Sequence, residues 1–568
     1  MKKALLIFIA SFLINSAKAQ NLLAIPDTLS GTNFVLNIND TSHVFYATYT
    51  THTFGVNASY LGPTLIFNEG DSVNITVNNQ LMDTTTIHWH GLHVNPQNDG
   101  GPHIFVPPGT TWNPQFKVRN NAATYWYHPH MHMMTNLHAT LGAAGLIIVR
   151  DSIESSLDLP RTYGVDDFPL VIQSKSFDTA KEIVLGDALD SVMMVNGTID
   201  AYLPVPAQVI RFRILNASSE RNYNFGLQGN ITFFQIASDG GLLDNPVSLT
   251  RLVLSPGERA EILIDFNAMT GQSIDLMSFA SEFPNAIYGA TQPGMGAGQV
   301  ITGYTSNSLN GADFKIMNFQ IVSATSTPVT SIPTNLTTNT PWPIGSSMAN
   351  KTLTFTPVNT GPTAIQGPFL INSTSYDMMV MNYTIPLNNI EIWTLTNQSP
   401  IAHPFHIHDV HFYITEINGA TPPLNLQGLK DVVLVPAMQT VKFITKFEPF
   451  CDPMYPYMYH CHMLTHEDDG MMGQFLVSCP TSSIDTKQSI ENSVKLYPIP
   501  SQDRLSIKSD NKIQTIKIYD LRGKCISIYS DINSNYTELK LTSFNNGIYI
   551  VELLINDNII RKKVNILN

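Results

Sequence analysis

Cysteine is scarce in this 568-residue chain, with four in all at Cys451, Cys461, Cys479 and Cys525. So few exclude a fold held together mainly by disulfides. Positive charge is in deficit. The 31 Lys and Arg stand against 44 Asp and Glu, a net of −13, which argues against nucleic acid as a partner. Long apolar runs are missing as well. None reaches the roughly 18 residues that a membrane span needs, so no membrane span is expected. Helical periodicity is sparse, and no helix longer than a connector is required. What remains, 43% hydrophobic and 13% charged residues, is the composition of a folded globular protein. The length allows about three or four domains at roughly 100–200 residues each.

The N-terminus reads MKKALLIFIASFLINSAKAQ. Two lysines, a short apolar core and the small-residue end Ala17-Lys18-Ala19 predict a secretory signal over residues 1–19. The mature chain is therefore expected outside the cytoplasm. From Val494 onward 11 Lys and Arg face 7 Asp and Glu, a reversal of sign that predicts a separate C-terminal module. Between these ends the sequence is short alternating runs broken by Gly, Pro and Asn, such as SVNITVNN (72–79), QVIRFRILN (208–216) and AEILIDF (260–266). Such runs predict an all-β chain of antiparallel sandwiches.

Three of the runs read as copies of one unit. SVNITVNN ends at Asn79, VIRFRILN at Asn216 and IEIWTLTN at Asn397. Nine and eleven residues after Asn79 come His88 and His90, and the same offsets after Asn397 give His406 and His408. After Asn216 they give Phe225 and Leu227. Three related domains are expected, of which the first and third carry a His-x-His pair. Each of those two has a second pair, His128/His130 in TYWYHPHMH and His460/His462 in YMYHCHMLTH. In a strand, residues two apart share a face. Eight imidazoles from four strands thus predict a cluster of copper ions between the first and third domains.

Parity also predicts a second centre. Cys461 lies between His460 and His462 and must face away from them. His403, three residues before His406, falls on that same far side. With His466 and Met471 they complete a His₂Cys set with a weak axial Met, the ligands of an electron-transfer copper site. Pro129 stands in the first domain where Cys461 stands in the third, so this centre is expected in the third domain alone. Cys451 and Cys479 flank the segment and could clamp it as a disulfide. Cys525 is expected to be a buried free thiol.

HWHGLH, YWYHPH, HPFHIH and HCHMLTHEDDGMM resemble the four copper-binding motifs of the three-domain multicopper oxidases, nearest the bacterial laccase and cuprous-oxidase branch. The resemblance covers roughly residues 30–478. It implies three cupredoxin-like Greek-key β-sandwich domains; composition sets their limits at 20–152, 153–322 and 344–480, with a Ser/Thr/Pro-rich linker at 323–343. The resemblance assigns His88 and His406 to a type 2 copper. His90, His128, His130, His408, His460 and His462 go to a type 3 pair. His403, Cys461, His466 and Met471 go to a type 1 copper, four ions in all. The implied reaction is four one-electron oxidations of a small reducing substrate, coupled to reduction of O₂ to water, with electrons passing from Cys461 through its neighbouring histidines. Asp99 and Glu467 match the family's proton-delivering carboxylates. The candidate substrates are phenols, aromatic amines or low-valent metal ions. The alternatives are a copper-binding or copper-tolerance protein and a cuprous-ion oxidase. For the last, NQSPIAHPF carries Ser399 and Ile401 where such members place an acid and a Met.

The tail, after a tether at 481–493, contains KLYPIPS, IKIYDLRGK and NNGIYIVEL over 494–568. It resembles the type A sorting domain of the type IX secretion system, a small β-sandwich. This implies contact with that machinery, a secreted or cell-surface location, and a monomer is expected. The run HMHMMTNLH offers His132, Met133, Met134 and His138 as either an auxiliary Cu(I) site or loop packing.

Overall fold

A computed structural model describes residues 20–185, 190–296, 298–479, 491, 493–555 and 558–567. The proposed signal segment, 1–19, and most of the tether lie outside the described residues. The described chain divides into two compact units, up to Ser478 and from Cys479 onward.

The first unit is three β-sandwiches of the cupredoxin type. In the first, a sheet of strands Thr28–Ser30, Thr64–Asn68, Gly145–Arg150, Ala123–His128 and His88–His90 faces a second sheet built on Asn33–His43 and Ser72–Asn79. Alternation explains the packing: Val73, Ile75 and Val77 are buried while Ser72 and Asn74 are exposed, the period-2 pattern of a half-buried strand. The second sandwich joins a six-stranded and an eight-stranded sheet around Phe212, Ile214, Phe225 and Leu227. Phe225 and Leu227, at the offsets that hold histidines elsewhere, are core residues here. The third sandwich pairs a sheet centred on Ile390–Asn397 with one ordered Tyr383–Pro386, Met472–Ser478, Tyr457–Cys461, His403–Ile407 and Val432–Val435. The segment 323–343 forms no strand and lies along the second sandwich, where Leu336 is buried.

The three-fold repeat has a structural counterpart in its terminal asparagines. Asn79 accepts from the Leu81 N–H at 2.9 Å and donates to the carbonyls of Asp83 and Val106, both at 2.8 Å. Asn216 accepts from Ser218 N–H and donates to Arg221 and Leu254; Asn397 accepts from Ser399 N–H and donates to Ile401 and Val435. Each is buried. A buried amide satisfied at three points fixes the corner after the strand, and hence the start of the next strand, which carries the histidines.

A buried ionic network docks the first sandwich on the second. Arg213 donates to Asp167 at 2.7 and 2.9 Å and to Glu261 at 2.5 Å, while Thr124 donates to Glu261 at 2.7 Å. Every charge has an opposite partner, without which such burial would be strongly destabilising. Thr124 lies on the strand that ends in His128, so the network sets that strand's position.

The second unit is built on the long strand Arg504–Asp520. One half pairs with Lys495–Tyr497 and Ser534–Lys540; the other pairs with Cys525–Tyr529 and Gly547–Ile555. The register breaks between Lys508 and Ile513. Leu505, Ile507, Ile516, Ile518 and Val551 fill its core. Cys525 is free as expected, but it is exposed and not buried. Its strand lies along one side of the long strand alone, and none of its residues is buried. Cys451 and Cys479 are disulfide-bonded.

Candidate metal centre

The four His-x-His pairs converge on one buried site between the first and third sandwiches. All eight side chains are at most 1% exposed. The first and third sandwiches contribute reciprocally: His88 stacks on His408 at 3.8 Å between ring centroids, and His90 stacks on His406 at 3.8 Å. This is the pseudo-symmetry expected when two copies of one strand meet face to face.

The outer nitrogen of most of these imidazoles is held by a carbonyl or carboxylate. His88 Nδ1 donates to the Asp99 carbonyl at 2.9 Å, His128 Nδ1 to that of Pro129 at 2.9 Å, and His406 Nδ1 to that of Asp431 at 2.8 Å. His408 Nδ1 donates to Asp99 Oδ2 at 2.7 Å and His460 Nδ1 to the Cys461 carbonyl at 3.0 Å. His90 is turned over, donating through Nε2 to Asp431 Oδ1 at 3.1 Å. With those protons directed outward, the inward nitrogens carry lone pairs. They gather in two triples. His90 Nδ1 lies 3.4 Å from His128 Nε2 and 3.3 Å from His462 Nε2. His130 Nε2 lies 3.1 Å from both His408 Nε2 and His460 Nε2. His88 Nε2 and His406 Nε2 are buried with no hydrogen-bond partner.

Lone pairs that face one another repel unless a cation lies between them. Nitrogens bound at 2.0–2.1 Å to one tetrahedral ion are roughly 3.3 Å apart, which is the spacing found. For six of these imidazoles burial is the largest cause of a lowered pKa and favours the neutral, ligating form. It holds His90, His128, His406 and His408 well below the usual histidine range and lowers His130 and His462 to about 3.

On the opposite face of the strand Tyr457–Cys461, Cys461 Sγ lies 3.6 Å from His403 Nδ1 and 3.6 Å from His466 Nδ1. Burial pushes the Cys461 thiol far up; a buried thiolate there needs a cation beside it. Met471 is fully buried in the same core, and its carbonyl accepts from Cys461 N–H at 3.0 Å. Phe369 packs against both imidazoles, 4.6 Å from His403 and 4.5 Å from His466. The parity expectation thus describes both faces of this strand. Its extension to His462, one residue past the strand end, also holds.

Asp99 and Glu467 both lie beside imidazoles of the cluster. Asp99 Oδ1 is 3.4 Å from His88 Nδ1, and Glu467 spans His130 Nδ1 at 3.3 Å and His460 Nδ1 at 3.1 Å. Both are 1% exposed. His132 and His138 enter no group of three His, Cys, Asp or Glu donors among the described residues. His138 bonds Thr85 at 3.0 Å, and Met133 is exposed, which favours the loop-packing alternative.

Three contributors were given no role at this site by the sequence. Asp431, beyond holding His90 and His406, accepts from Arg259 of the second sandwich. Burial alone would raise its pKa; Arg259 and then His90 outweigh this and hold it well below the usual carboxylate range. Ser399 is fully buried and accepts from His403 Nε2 at 2.7 Å while donating to the Ile401 carbonyl at 2.9 Å. It therefore fixes the tautomer that turns His403 Nδ1 toward Cys461 and is closed to solvent. Gly257, at φ +83°, lets the second sandwich approach the His462 ring, which any Cβ there would meet at 2.9 Å.

The comparisons agree with this geometry. Family models described as multicopper oxidase match residues 38–154, 196–281 and 346–480, and a secretion system C-terminal sorting domain matches 495–567. The multicopper oxidase mco of Staphylococcus haemolyticus is 31% identical over 482 residues, covering 82% of this chain and 94% of that protein. The cell division protein FtsP of Sodalis glossinidius is 31% identical over 480 residues, covering 81% and 93%. Among solved structures, the laccase-like multicopper oxidase CueO of Ochrobactrum sp. is 31% identical with a TM-score of 0.70, covering 80% of this chain and 100% of that one. Sequence, donor geometry and relatives lead to one conclusion: this chain belongs to the multicopper oxidase family, a copper-dependent oxidoreductase with a type IX secretion sorting domain at its C-terminal end.

Proposed function

We propose that the protein oxidises a small reducing substrate in four one-electron steps and reduces O₂ to water. The candidate reductants are phenols, aromatic amines and low-valent metal ions. The observation that carries this reading is the tripeptide His460-Cys461-His462. Its thiol faces His403 and His466, while its two imidazoles enter different triples of the buried cluster. One strand thereby joins an electron-entry centre to an oxygen-reducing one.

Four copper ions fit the donors. His403, Cys461, His466 and Met471 would hold type 1, and His88 with His406 would hold type 2. The triples His90/His128/His462 and His130/His408/His460 would hold the type 3 pair. Copper in these places supplies the one-electron oxidation of the substrate and the four-electron reduction of O₂. The chain's own groups orient and deliver protons. Asp99 Oδ1, which has no hydrogen-bond partner, lies beside His88, where it can pass on a proton. Glu467 Oε1 and Oε2 are placed to do the same between His130 and His460. Water is excluded by burial, so protons arrive through carboxylates of this kind.

Export would use the segment 1–19 and then the sorting domain, giving a secreted or cell-surface monomer. The domain limits given above are part of the same proposal. O₂ uptake with a phenol, compared between copper-loaded protein and His460→Ala, is the test. Uptake is expected to be lost in the variant, and equal uptake by both overturns the reading. Cys461→Ser is expected to lose the blue colour; a colour that persists removes Cys461 from type 1.

A further inference from the structure

His466 is 8% exposed. Its Nδ1 faces Cys461, its Nε2 has no hydrogen-bond partner among the described residues, and its ring lines a cavity of about 430 Å³. Two kinds of wall surround it. Glu220, Asp468 and Asp469 supply three carboxyl groups, and no Lys or Arg among the described residues lines the cavity. Tyr288, Ile365 and Met463 lead the apolar side. The acids come from different elements. Glu220 follows the Asn216 corner of the second sandwich and accepts from Thr465 Oγ1. Asp468 accepts from the N–H groups of Thr135 and Asn136 at 3.0 and 2.9 Å, tying the His466 segment to the first sandwich. Asp469 is exposed at the mouth.

We infer that the substrate taken here is an aromatic reductant that carries a positive charge, such as a phenol or aryl amine with a protonated amine substituent. This rests on the oxidase reading above. A bare metal ion would make no use of the apolar wall, and an anionic phenol would face carboxylates with no basic residue in the lining to offset them. An aromatic ring matches Tyr288, Ile365 and Met463 by hydrophobic contact, and an ammonium group matches the acidic side. Each phenol loses one electron through His466 and one proton to water at the mouth. Four such losses balance O₂ + 4 e⁻ + 4 H⁺ → 2 H₂O.

The test uses copper-loaded, full-length protein and three phenols alike in ring and size: 4-(2-aminoethyl)-2-methoxyphenol, 4-ethyl-2-methoxyphenol and 4-(carboxymethyl)-2-methoxyphenol. KM is expected to rise in that order. Each charge removed by Asp469→Asn or Glu220→Gln should shrink the carboxylate-to-amine KM ratio by about 3-fold, the weight of one pair near the surface. High salt should shrink it too. Calorimetry with the redox-inert pair 2-phenylethylammonium and phenylacetate gives a readout free of turnover, in which only the cation should bind. A KM that ignores charge, or a preference that survives the double variant, overturns the inference while leaving the oxidase intact. Absence of O₂ uptake with all three phenols, with an aryl amine and with low-valent metal ions would instead refute the oxidase reading.

Discussion

Asp431 accepts from both terminal nitrogens of Arg259 at 2.6 Å while its Oδ1 also accepts from His90 Nε2. A residue of the second sandwich, which contributes no donor to the cluster, thereby orients a ligand supplied by the first through a carboxylate of the third. Asp431→Ala removes that link and leaves the buried Arg259 guanidinium with only Asp239, 3.7 Å away, as a charge partner. The expected result is a loss of about 10- to 100-fold in cluster copper affinity or activity, read by metal analysis of the purified variant. Full copper content with unchanged turnover would show that His90 needs no such support.

Ser399 sits between the Asn397 corner and His403. Ser399→Ala frees the His403 ring to take either tautomer. The blue band is expected to shift and the type 1 potential to change, with Ser399→Thr restoring both. Copper content at the other centre serves as the control and is expected to hold.

Glu467→Gln keeps a side chain of the same shape between His130 and His460 but cannot carry the proton. Reduction by substrate, seen as bleaching without O₂, is expected at the normal rate. Recovery of colour on adding O₂ is expected to slow by about 10²-fold or more. Equal slowing of both half-reactions would make Glu467 a positioning residue only.

The three corner asparagines should behave alike in stability and differently in colour. Replacing Asn79, Asn216 or Asn397 with Ala leaves buried carbonyls unpaired, at a cost of about 1–3 kcal/mol each, measurable by denaturant unfolding of the copper-loaded protein. A change in the blue band is expected from Asn397→Ala alone, because only that corner leads to His403.

Lys175, on the strand Asp167–Phe177, is 3% exposed, and burial lowers its pKa to about 7 even though Asp190 opposes the shift. Between about pH 7 and the ordinary lysine value the unfolded chain binds the extra proton, so stability rises with pH across that window. The penalty is complete below pH 7. Lys175→Met is therefore expected to raise the melting temperature more at pH 7 than at pH 10, and an equal gain at both would contradict this.

The sequence by itself determined the face on which each donor lies. Strand periodicity is a local property, so His88 and His90 had to share a face, with Cys461 on the reverse of His460; the same alternation has to run one residue past the strand for His408 and His462 and two for His130. The offsets from Asn79 and Asn397 likewise located the two ligand-bearing copies, since a repeated corner starts the next strand at the same place. Burial of Cys525 was not legible, because a short strand can lie with either face, or neither, against a core. Only the tertiary structure decided which imidazole nitrogen turns inward, which pairs meet in which triple, and that His90 alone is reversed. Those depend on partners such as Asp431, Arg259 and Ser399, single residues without pattern, brought in by the docking of three sandwiches. The acidic mouth beside His466 is of the same kind. Glu220 is more than two hundred residues from Asp468 and Asp469 in the chain, and no spacing rule connects it to them.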